Sequence, residues 1–257
     1  MKQIFTIVFI FCAFSVSASY LVSKGDSAYV NDDYNNAIRY YNQAIETDGT
    51  SSELYYNLGN AYYRAGNIGY AIVNYERALK LAPNDDDIIA NLEFVNSKIK
   101  DIPMNDKTLL HRALECCVNA FTPNAWAVIS IVIFVLFLLA IGLYIFATKV
   151  IHRKIGFFGA LILLIINIAT IIFAIMGANR ITEQRYAIII QPSTMLSTTP
   201  REPKNRAEEA VLLHEGTKVY ILDSIKNETD AGQMIWYDVR YSGKNRAWIK
   251  AIDVEKI

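Results

Sequence analysis

Cysteine and histidine are scarce in this chain of 257 residues, which contains three of each. Cys116 and Cys117 are adjacent, and Cys12 lies far from them in an apolar stretch at the N-terminus. Neither a disulfide framework nor a zinc site is predicted, because both need characteristic spacings of these residues. The histidines fall in three separate segments, at His111, His152 and His214. We therefore expect no metal and no cofactor. A redox role for the vicinal cysteines is the less favoured alternative, because a disulfide between neighbours is strained.

Charged residues are also few. They make up 19% of the chain, whereas soluble domains carry about 25%. Hydrophobic residues reach 53%, and this imbalance predicts membrane segments. Lys plus Arg and Asp plus Glu number 25 each, so the net charge is zero and no nucleic-acid partner is expected.

Catalytic motifs are missing from the sequence. It contains no phosphate-binding loop of the Walker type, no nucleophile elbow and no His-Glu-x-x-His motif. Every segment also has a structural explanation, as described below. We therefore expect a protein that is not an enzyme.

The first 19 residues have the pattern of a secretory signal peptide. Lys2 supplies a positive charge, residues 4–14 form an apolar core, and residues 16–19 are small enough for cleavage after Ala18 or Ser19. An uncleaved membrane anchor is the alternative. It is less favoured because the apolar core is shorter than the roughly 20 residues that a span requires.

Residues 20–100 carry a helical repeat. The second copy has the main positions of the tetratricopeptide (TPR) pattern, namely Tyr55, Leu58, Gly59, Tyr62, Gly66, Ala71, Tyr75, Ala78 and Pro83. A shift of 34 residues towards the N-terminus gives the matching positions Gly25, Ala37, Tyr41 and Ala44. Small residues in this pattern let paired helices approach closely. After Pro83, the triplet Asp85, Asp86 and Asp87 predicts the N-terminus of a third, capping helix.

In TPR arrays, the first helix of each pair lines a concave groove. On this chain, the predicted partner-binding residues are Tyr29, Tyr56, Asn57, Asn60, Tyr63 and Arg64. Tyrosine and arginine are favoured at binding hot spots. The alternative is that Tyr56 and Tyr63 pack against neighbouring repeats. Asp87 and Asn91 stand where a carboxylate-binding TPR domain carries basic residues, which argues against a C-terminal carboxylate as the ligand.

Residues 101–124 are predicted to form a linker and an amphipathic helix at the membrane surface. Residues 125–147 and 156–178 carry no charge, and each is long enough to cross a bilayer. Residues 148–155 form a basic loop between them, so the two spans make a hairpin. Asn167 is the strongly polar residue within the spans, and we expect it to bond or pack between the two helices.

The topology follows from two arguments. A cleaved signal peptide places the N-terminal domain outside the cytoplasm, and the basic loop is expected in the cytoplasm. The sequence thus predicts a two-pass protein of the bacterial cytoplasmic membrane, with its N- and C-terminal domains in the periplasm.

Residues 185–257, the β-domain, change to alternating polarity. We predict five short strands, at 186–190, 210–213, 218–222, 235–241 and 246–249, with a long loop at 192–209. The order resembles a bacterial SH3 domain, which implies a small all-β barrel. Its candidate ligand groove contains Trp236, Tyr237 and Trp248, although alternation predicts that some of them belong to the core.

The whole order of signal peptide, TPR array, hairpin and SH3-like domain resembles the E-type member of the Bat (Bacteroides aerotolerance) family. This resemblance implies an envelope complex linked to aerotolerance or stress, with von Willebrand A-type membrane proteins and, indirectly, a MoxR-type ATPase as partners. The favoured function is a membrane-anchored adaptor or scaffold. The alternatives are a cell-wall protein that binds peptidoglycan and a sensor that signals through the hairpin.

Overall fold

The computed structural model describes residues 20–101, 108–229 and 232–257. The predicted signal peptide, with its cleavage site, and residues 102–107 of the predicted linker lie outside the described residues. The chain divides into two compact units. The first unit combines the chain up to Asp106 with Gln184–Ile257, and the hairpin unit is Lys107–Glu183.

The first unit begins with a series of helices, each of which packs against the next. They are α1 (residues 20–30), α2 (Tyr34–Asp48), α3 (Ser52–Arg64), α4 (Ile68–Leu81) and α5 (Asp86–Asn96). Three N-caps, Asp33, Ser51 and Asp85, accept hydrogen bonds from backbone amides of the first turns that follow. The acidic triplet thus begins α5 as expected, with Asp85 as the capping residue.

The contacts between paired helices repeat with the same 34-residue period as the sequence. A Cβ atom on Gly59 would lie 2.8 Å from the ring of Tyr75, and one on Gly25 would meet the ring of Tyr41. Each tyrosine hydroxyl also donates to the residue after the glycine, Asp26 at 2.7 Å and Asn60 at 2.6 Å. Ala37, Ala44, Ala71 and Ala78 are fully buried at matching positions. The predicted close approach of paired helices is therefore confirmed.

The hairpin unit contains α6 (Leu109–Asn119), α7 (Pro123–Phe146) and α8 (Val150–Thr182). Helices α7 and α8 are long and apolar enough to cross a membrane by length and composition. Most of the predicted loop 148–155 is helical, because α8 begins at Val150. Pro123 begins α7, since the first turn of a helix tolerates a residue without an N–H group.

A buried polar contact joins α7 to α8. The Nδ2 amide of Asn167 donates to the backbone oxygen of Ser130 at 2.7 Å and to its hydroxyl at 3.1 Å. Asn167 is 6% exposed, so this contact is shielded from solvent. The predicted bond between the helices at Asn167 is confirmed. One turn earlier on α7, the indole N–H of Trp126 donates to the backbone oxygen of Val118 in α6.

The β-domain is an antiparallel sheet that contains seven strands within the described residues. They are β1 (Tyr186–Ile189), β2 (Ser193–Ser197), β3 (Glu209–His214), β4 (Lys218–Thr229), β5 (Gly232–Ser242), β6 (Asn245–Lys250) and β7 (Val254–Lys256). Their order is β3-β2-β6-β5-β4-β1-β7. Strands β3 and β7 are the edges, and no pairing joins them in the part of the chain that the structure describes. Closure into a barrel stays a prediction.

Two of these strands were not expected. Strand β2 lies inside the segment predicted as a long loop, and it pairs with β3 over five residues. Strand β7 pairs with β1. Both are short and consist mainly of polar residues, which do not produce the clear alternation of a longer strand. The prediction of a continuous loop over 192–209 is therefore wrong for its first third.

The helical array and the β-domain share a hydrophobic core. Ile72 of α4 and Val95 of α5 belong to the same buried cluster as Ile188 of β1 and Ile257. Gly69 of α4 lies so close to β1 that a Cβ atom there would be 2.7 Å from the backbone oxygen of Ile189. Burial of apolar side chains from both partners makes them a single unit.

Polar contacts surround this shared core. Lys218 of β4 pairs with Glu76 at 2.6 Å, and Arg77 donates to Glu255 at 2.5 Å. The backbone N–H of Gly69 donates to the carboxylate of Glu215 at 2.7 Å. These contacts connect one helix, α4, to three separate parts of the sheet.

Asp101 completes the docking contact. Its carboxylate accepts hydrogen bonds from the Thr217 hydroxyl at 2.6 Å and from the backbone N–H of His214 at 2.7 Å, and it lies 3.0 Å from the His214 ring. Partial burial raises the pKa of Asp101, but these three hydrogen bonds outweigh it, so the pKa lies below its usual value. The sequence predicted a linker from residue 101, and this is wrong for Asp101 itself.

Candidate interaction surface

The predicted partner-binding residues lie on the first helix of each repeat. Tyr29 is on α1, and the other five are on α3. None of them is fully buried. The β-domain packs chiefly against α4, the second helix of its repeat, so it leaves the face of α1 and α3 uncovered.

Two of these residues are used inside the array. The Nδ2 amide of Asn91 in α5 donates to the Tyr56 hydroxyl at 2.9 Å and to the Asn60 side-chain oxygen at 3.1 Å. The same oxygen of Asn60 accepts from Tyr75. Burial, followed by the neighbouring hydroxyl of Tyr56, raises the pKa of Tyr75 well above its usual value. Tyr56 and Asn60 are therefore bonded within the array and support the exposed surface. Asn91 holds both side chains in place. It stands where a carboxylate-binding TPR domain carries a basic residue.

Tyr29 and Arg64 form one end of the surface. Tyr34, at the start of α2, lies edge-on to Tyr29 with 5.6 Å between the ring centroids. The guanidinium of Arg64 lies over the Tyr34 ring at 5.0 Å and donates to its hydroxyl at 2.5 Å. Tyr34 in turn donates to Asp32, and this bond raises its pKa. Tyr34 was missed because nothing in the repeat pattern distinguishes the residue.

Tyr63 forms the other end, together with Phe94 of α5 and Lys98, which follows that helix. Its ring lies edge-on to Phe94 at 5.7 Å, and the ammonium of Lys98 is 4.7 Å from the Phe94 ring. Phe94 is 52% exposed. Phe94 and Lys98 were not predicted, although a large aromatic residue off the apolar face of a capping helix is a usable signal.

Asn57 lies on α3 about two turns before Tyr63 and Arg64. Its side chain is half-buried and makes no hydrogen bond with the described residues. An amide in this position offers two donors and one acceptor to an extended backbone that crosses the surface. Each end adds a cation and aromatic rings, which are favoured at protein interfaces.

The comparison with protein families agrees with this geometry. Residues 25–66 match the family described as TPR repeat, and residues 52–85 match the family described as tetratricopeptide repeat. The array is therefore a TPR array. No curated protein matches the chain. TPR repeats point to protein partners, and the exposed face of the TPR array on α1, α3 and α5 is the surface that fits this role.

The candidate groove of the β-domain is not assembled as predicted. Trp236 is 2% exposed and so is not available at the surface. Tyr237 follows it in β5 and packs on the opposite face of the sheet, against the β-domain core. Trp248 pairs with Asp238, so it shares the face of Trp236 and is half-buried there. The three side chains do not line one groove.

A loop covers the face that contains Trp236. Residues 198–208 reach over this face, where Asn227 of β4 donates to the Pro200 backbone oxygen and Lys250 of β6 pairs with Glu202 at 2.5 Å. Ile225 and Lys250 are the neighbours of Trp236 in the adjacent strands. The loop is thus tied down on both sides of the tryptophan, which explains the burial of Trp236.

The structure offers little beyond this surface that resembles a reactive site. In the described ranges, no group of three or more His, Cys, Asp and Glu side chains is placed to hold a metal ion. Cys116 and Cys117 are free and exposed on α6. On the same helix, Leu109, Leu110 and Leu114 are also exposed, which leaves its apolar face open.

Proposed function

We propose that this protein is a non-enzymatic adaptor, anchored in a membrane by its hairpin, that recruits protein partners through the TPR array. The observation that carries the proposal is the uncovered face of α3, which presents Asn57 and, about two turns further along the helix, the Tyr34–Arg64 and Tyr63–Phe94–Lys98 clusters. An extended segment of a partner fits this face, with its backbone at Asn57 and its side chains against the aromatic rings.

The anchoring part of the proposal rests on α7 and α8. Their exposed surfaces are apolar along most of their length, which favours lipid as the surrounding medium. Lys149 lies in the turn between them, and Arg153 and Lys154 lie in the first turns of α8. The positive-inside rule therefore favours the cytoplasm for this end of the hairpin. Both soluble domains would then face the periplasm of a bacterial cell.

The identity of the partners comes from the family resemblance alone. It favours von Willebrand A-type membrane proteins and, indirectly, a MoxR-type ATPase, in a complex that supports aerotolerance or stress resistance. The SH3-like assignment of the β-domain is a separate proposal, which rests on the resemblance of its strand order to that of a bacterial SH3 domain. In this protein, the β-domain packs against α4 and supports it, and it leaves the opposite face of the TPR array free.

Photo-crosslinking in the native membrane tests the adaptor function. A photoreactive amino acid at Asn57 should capture membrane proteins, identified by mass spectrometry, with a von Willebrand A domain among them. The matched control is Glu46, an exposed residue on α2 of the same array, where we expect no capture. Equal capture at both positions, or none at Asn57, would contradict the proposal.

Binding to the cell wall is the competing function. Trp248, which is half-buried beside the covered Trp236, is the aromatic residue that could contact wall peptides. Sedimentation of the full chain in detergent with purified peptidoglycan separates the two functions. Co-sedimentation that is abolished by Trp248→Ala but retained by Asn57→Ala would favour the cell-wall function.

A further inference from the structure

A cavity of about 240 Å³ lies at the turn of the hairpin unit, where α7 ends and α8 begins. Its walls are formed by Tyr144, Val150, Arg153, Lys154, Phe157 and Phe158. Its floor is fixed by a close helix contact, because a Cβ atom on Gly156 would lie 2.6 Å from the backbone nitrogen of Tyr144. The cavity lies against this contact, with Tyr144 of α7 on one side and the first turns of α8 on the other.

The two cations of this cavity have no anionic partner. Neither Arg153 nor Lys154 forms an ion pair with any residue that the structure describes. The sequence has no Asp or Glu between Glu115 and Glu183, so neither α7 nor α8 contains a carboxylate that could neutralise them. Both cations are therefore open to an anion from another molecule.

The remaining walls are aromatic or apolar and open outward. The guanidinium of Arg153 lies 5.6 Å from the Tyr144 ring, whose centroid is 5.8 Å from that of Phe157. Phe158 is 59% exposed and Val150 is 67% exposed. A small hydrated anion would satisfy the cations but would leave these walls in contact with water, which is unfavourable.

We infer that this cavity binds one anionic phospholipid. Its headgroup phosphate lies between Arg153 and Lys154, and its acyl chains follow the exposed rings of Phe157 and Phe158. Basic pockets between membrane helices on the cytoplasmic side suit anionic headgroups. This inference rests on the proposed membrane insertion, and it adds a defined lipid site to what would otherwise be a general attraction to the membrane surface.

Native mass spectrometry of the full chain in a neutral detergent tests the site. Titration with phosphatidylglycerol should give one tightly bound lipid, whereas phosphatidylcholine with the same acyl chains should bind much more weakly. Arg153→Gln and Lys154→Gln should each lower the affinity for phosphatidylglycerol about fivefold, as expected for one cation near an anionic membrane surface.

Lys149→Gln is the charge-matched control, since Lys149 belongs to the same turn but does not line the cavity. It should change the affinity by less than about twofold, because a screened charge outside the site contributes little. An equal loss for all three variants would show a delocalised attraction and overturn the inference. Displacement of the lipid by inorganic phosphate would also overturn it, because the acyl chains would then contribute nothing.

Carbonate extraction of cell membranes keeps this test apart from the proposed anchoring. If the full chain is released by carbonate, membrane insertion fails and the lipid site fails with it. If the chain is retained but binds both lipids equally, anchoring stands and the lipid site is wrong.

Discussion

Tyr41 and Tyr75 occupy equivalent positions of the two repeats, and each does two things at once. The ring fills the space left by a glycine on the preceding helix, and the hydroxyl donates to the polar residue beside that glycine. Burial is the main reason that the pKa of both tyrosines lies above its usual value. Replacement of phenylalanine, the usual residue of the TPR pattern, by tyrosine therefore adds a polar link to an apolar contact.

The Tyr75→Phe variant isolates this link. It removes the donor to Asn60 and keeps the ring, so we expect a loss of about 1 kcal/mol in the free energy of unfolding. Denaturation of the full chain in detergent micelles measures it. The control is Tyr70→Phe, because the Tyr70 hydroxyl makes no hydrogen bond within the described ranges and its ring stacks on Tyr62. Equal destabilisation by the two changes would contradict this reading of the hydroxyl.

Asp101 gives the docking contact a dependence on pH. Its pKa is lowered in the folded state, so its stabilising contribution is complete above the usual value of 3.8 and is lost as the pH falls through the folded-state pKa. We expect thermal stability to decline on this acidic side, with a smaller decline for Asp101→Asn. Melting curves between about pH 6 and pH 3 measure it. Glu46→Gln, a change on the exposed face of α2, should leave the decline as it is in the unchanged protein.

At the scale of single elements, α4 is the helix that carries the β-domain. Gly69 is essential to this, because a Cβ atom would meet the backbone of β1, which cannot move aside as a flexible side chain would. We expect Gly69→Ala to destabilise the first unit by about 1–3 kcal/mol. Hydrogen exchange should show faster exchange of β1 amides.

Gly142→Ala provides the comparison for this change. Gly142 also lies within a helix, but nothing is found within 4 Å of the position that its Cβ atom would occupy. If this variant accelerates exchange in β1 as much as Gly69→Ala does, the close approach of α4 and β1 is not the cause.

The bond between α7 and α8 should contribute modestly. Asn167→Ala removes both donations to Ser130, and interhelical hydrogen bonds of this kind contribute about 0.6 kcal/mol on average. Ser130→Ala removes one acceptor but leaves the backbone oxygen, so it should cost less than Asn167→Ala. Unfolding of the full chain in mixed micelles measures both. The reverse order of effects would show that the backbone bond is not the important one.

The helical elements could be predicted because their signals are local and periodic. Repeated positions 34 residues apart identified α3 and α4, and an acidic triplet identified the start of α5. The docking of α4 on the sheet could not be predicted, because its contacts join residues such as Gly69 and Glu215, which are 146 positions apart. The sequence around each residue gives no sign of the contact, because only the fold brings the two together.

At the scale of the whole molecule, the proposed topology makes a prediction about chemical access. Cys116 and Cys117 are exposed on α6 and should react with a membrane-impermeant maleimide added outside the cytoplasmic membrane of spheroplasts. In a variant without these cysteines, His152→Cys at the start of α8 should react after the membrane is permeabilised and not before. Labelling of both positions from outside would contradict a cytoplasmic turn.

The shared core of α4 and β1 has a consequence for the number of membrane crossings. The residues before and after the hairpin unit belong to one folded body, and one body cannot occupy both sides of a bilayer. The number of crossings between them must therefore be even, whatever their direction. Deletion of α7 or α8 alone would make this number odd and separate the TPR array from the β-domain. Deletion of both helices makes the number of crossings even again. We therefore expect the chain to tolerate deletion of both helices better than deletion of one.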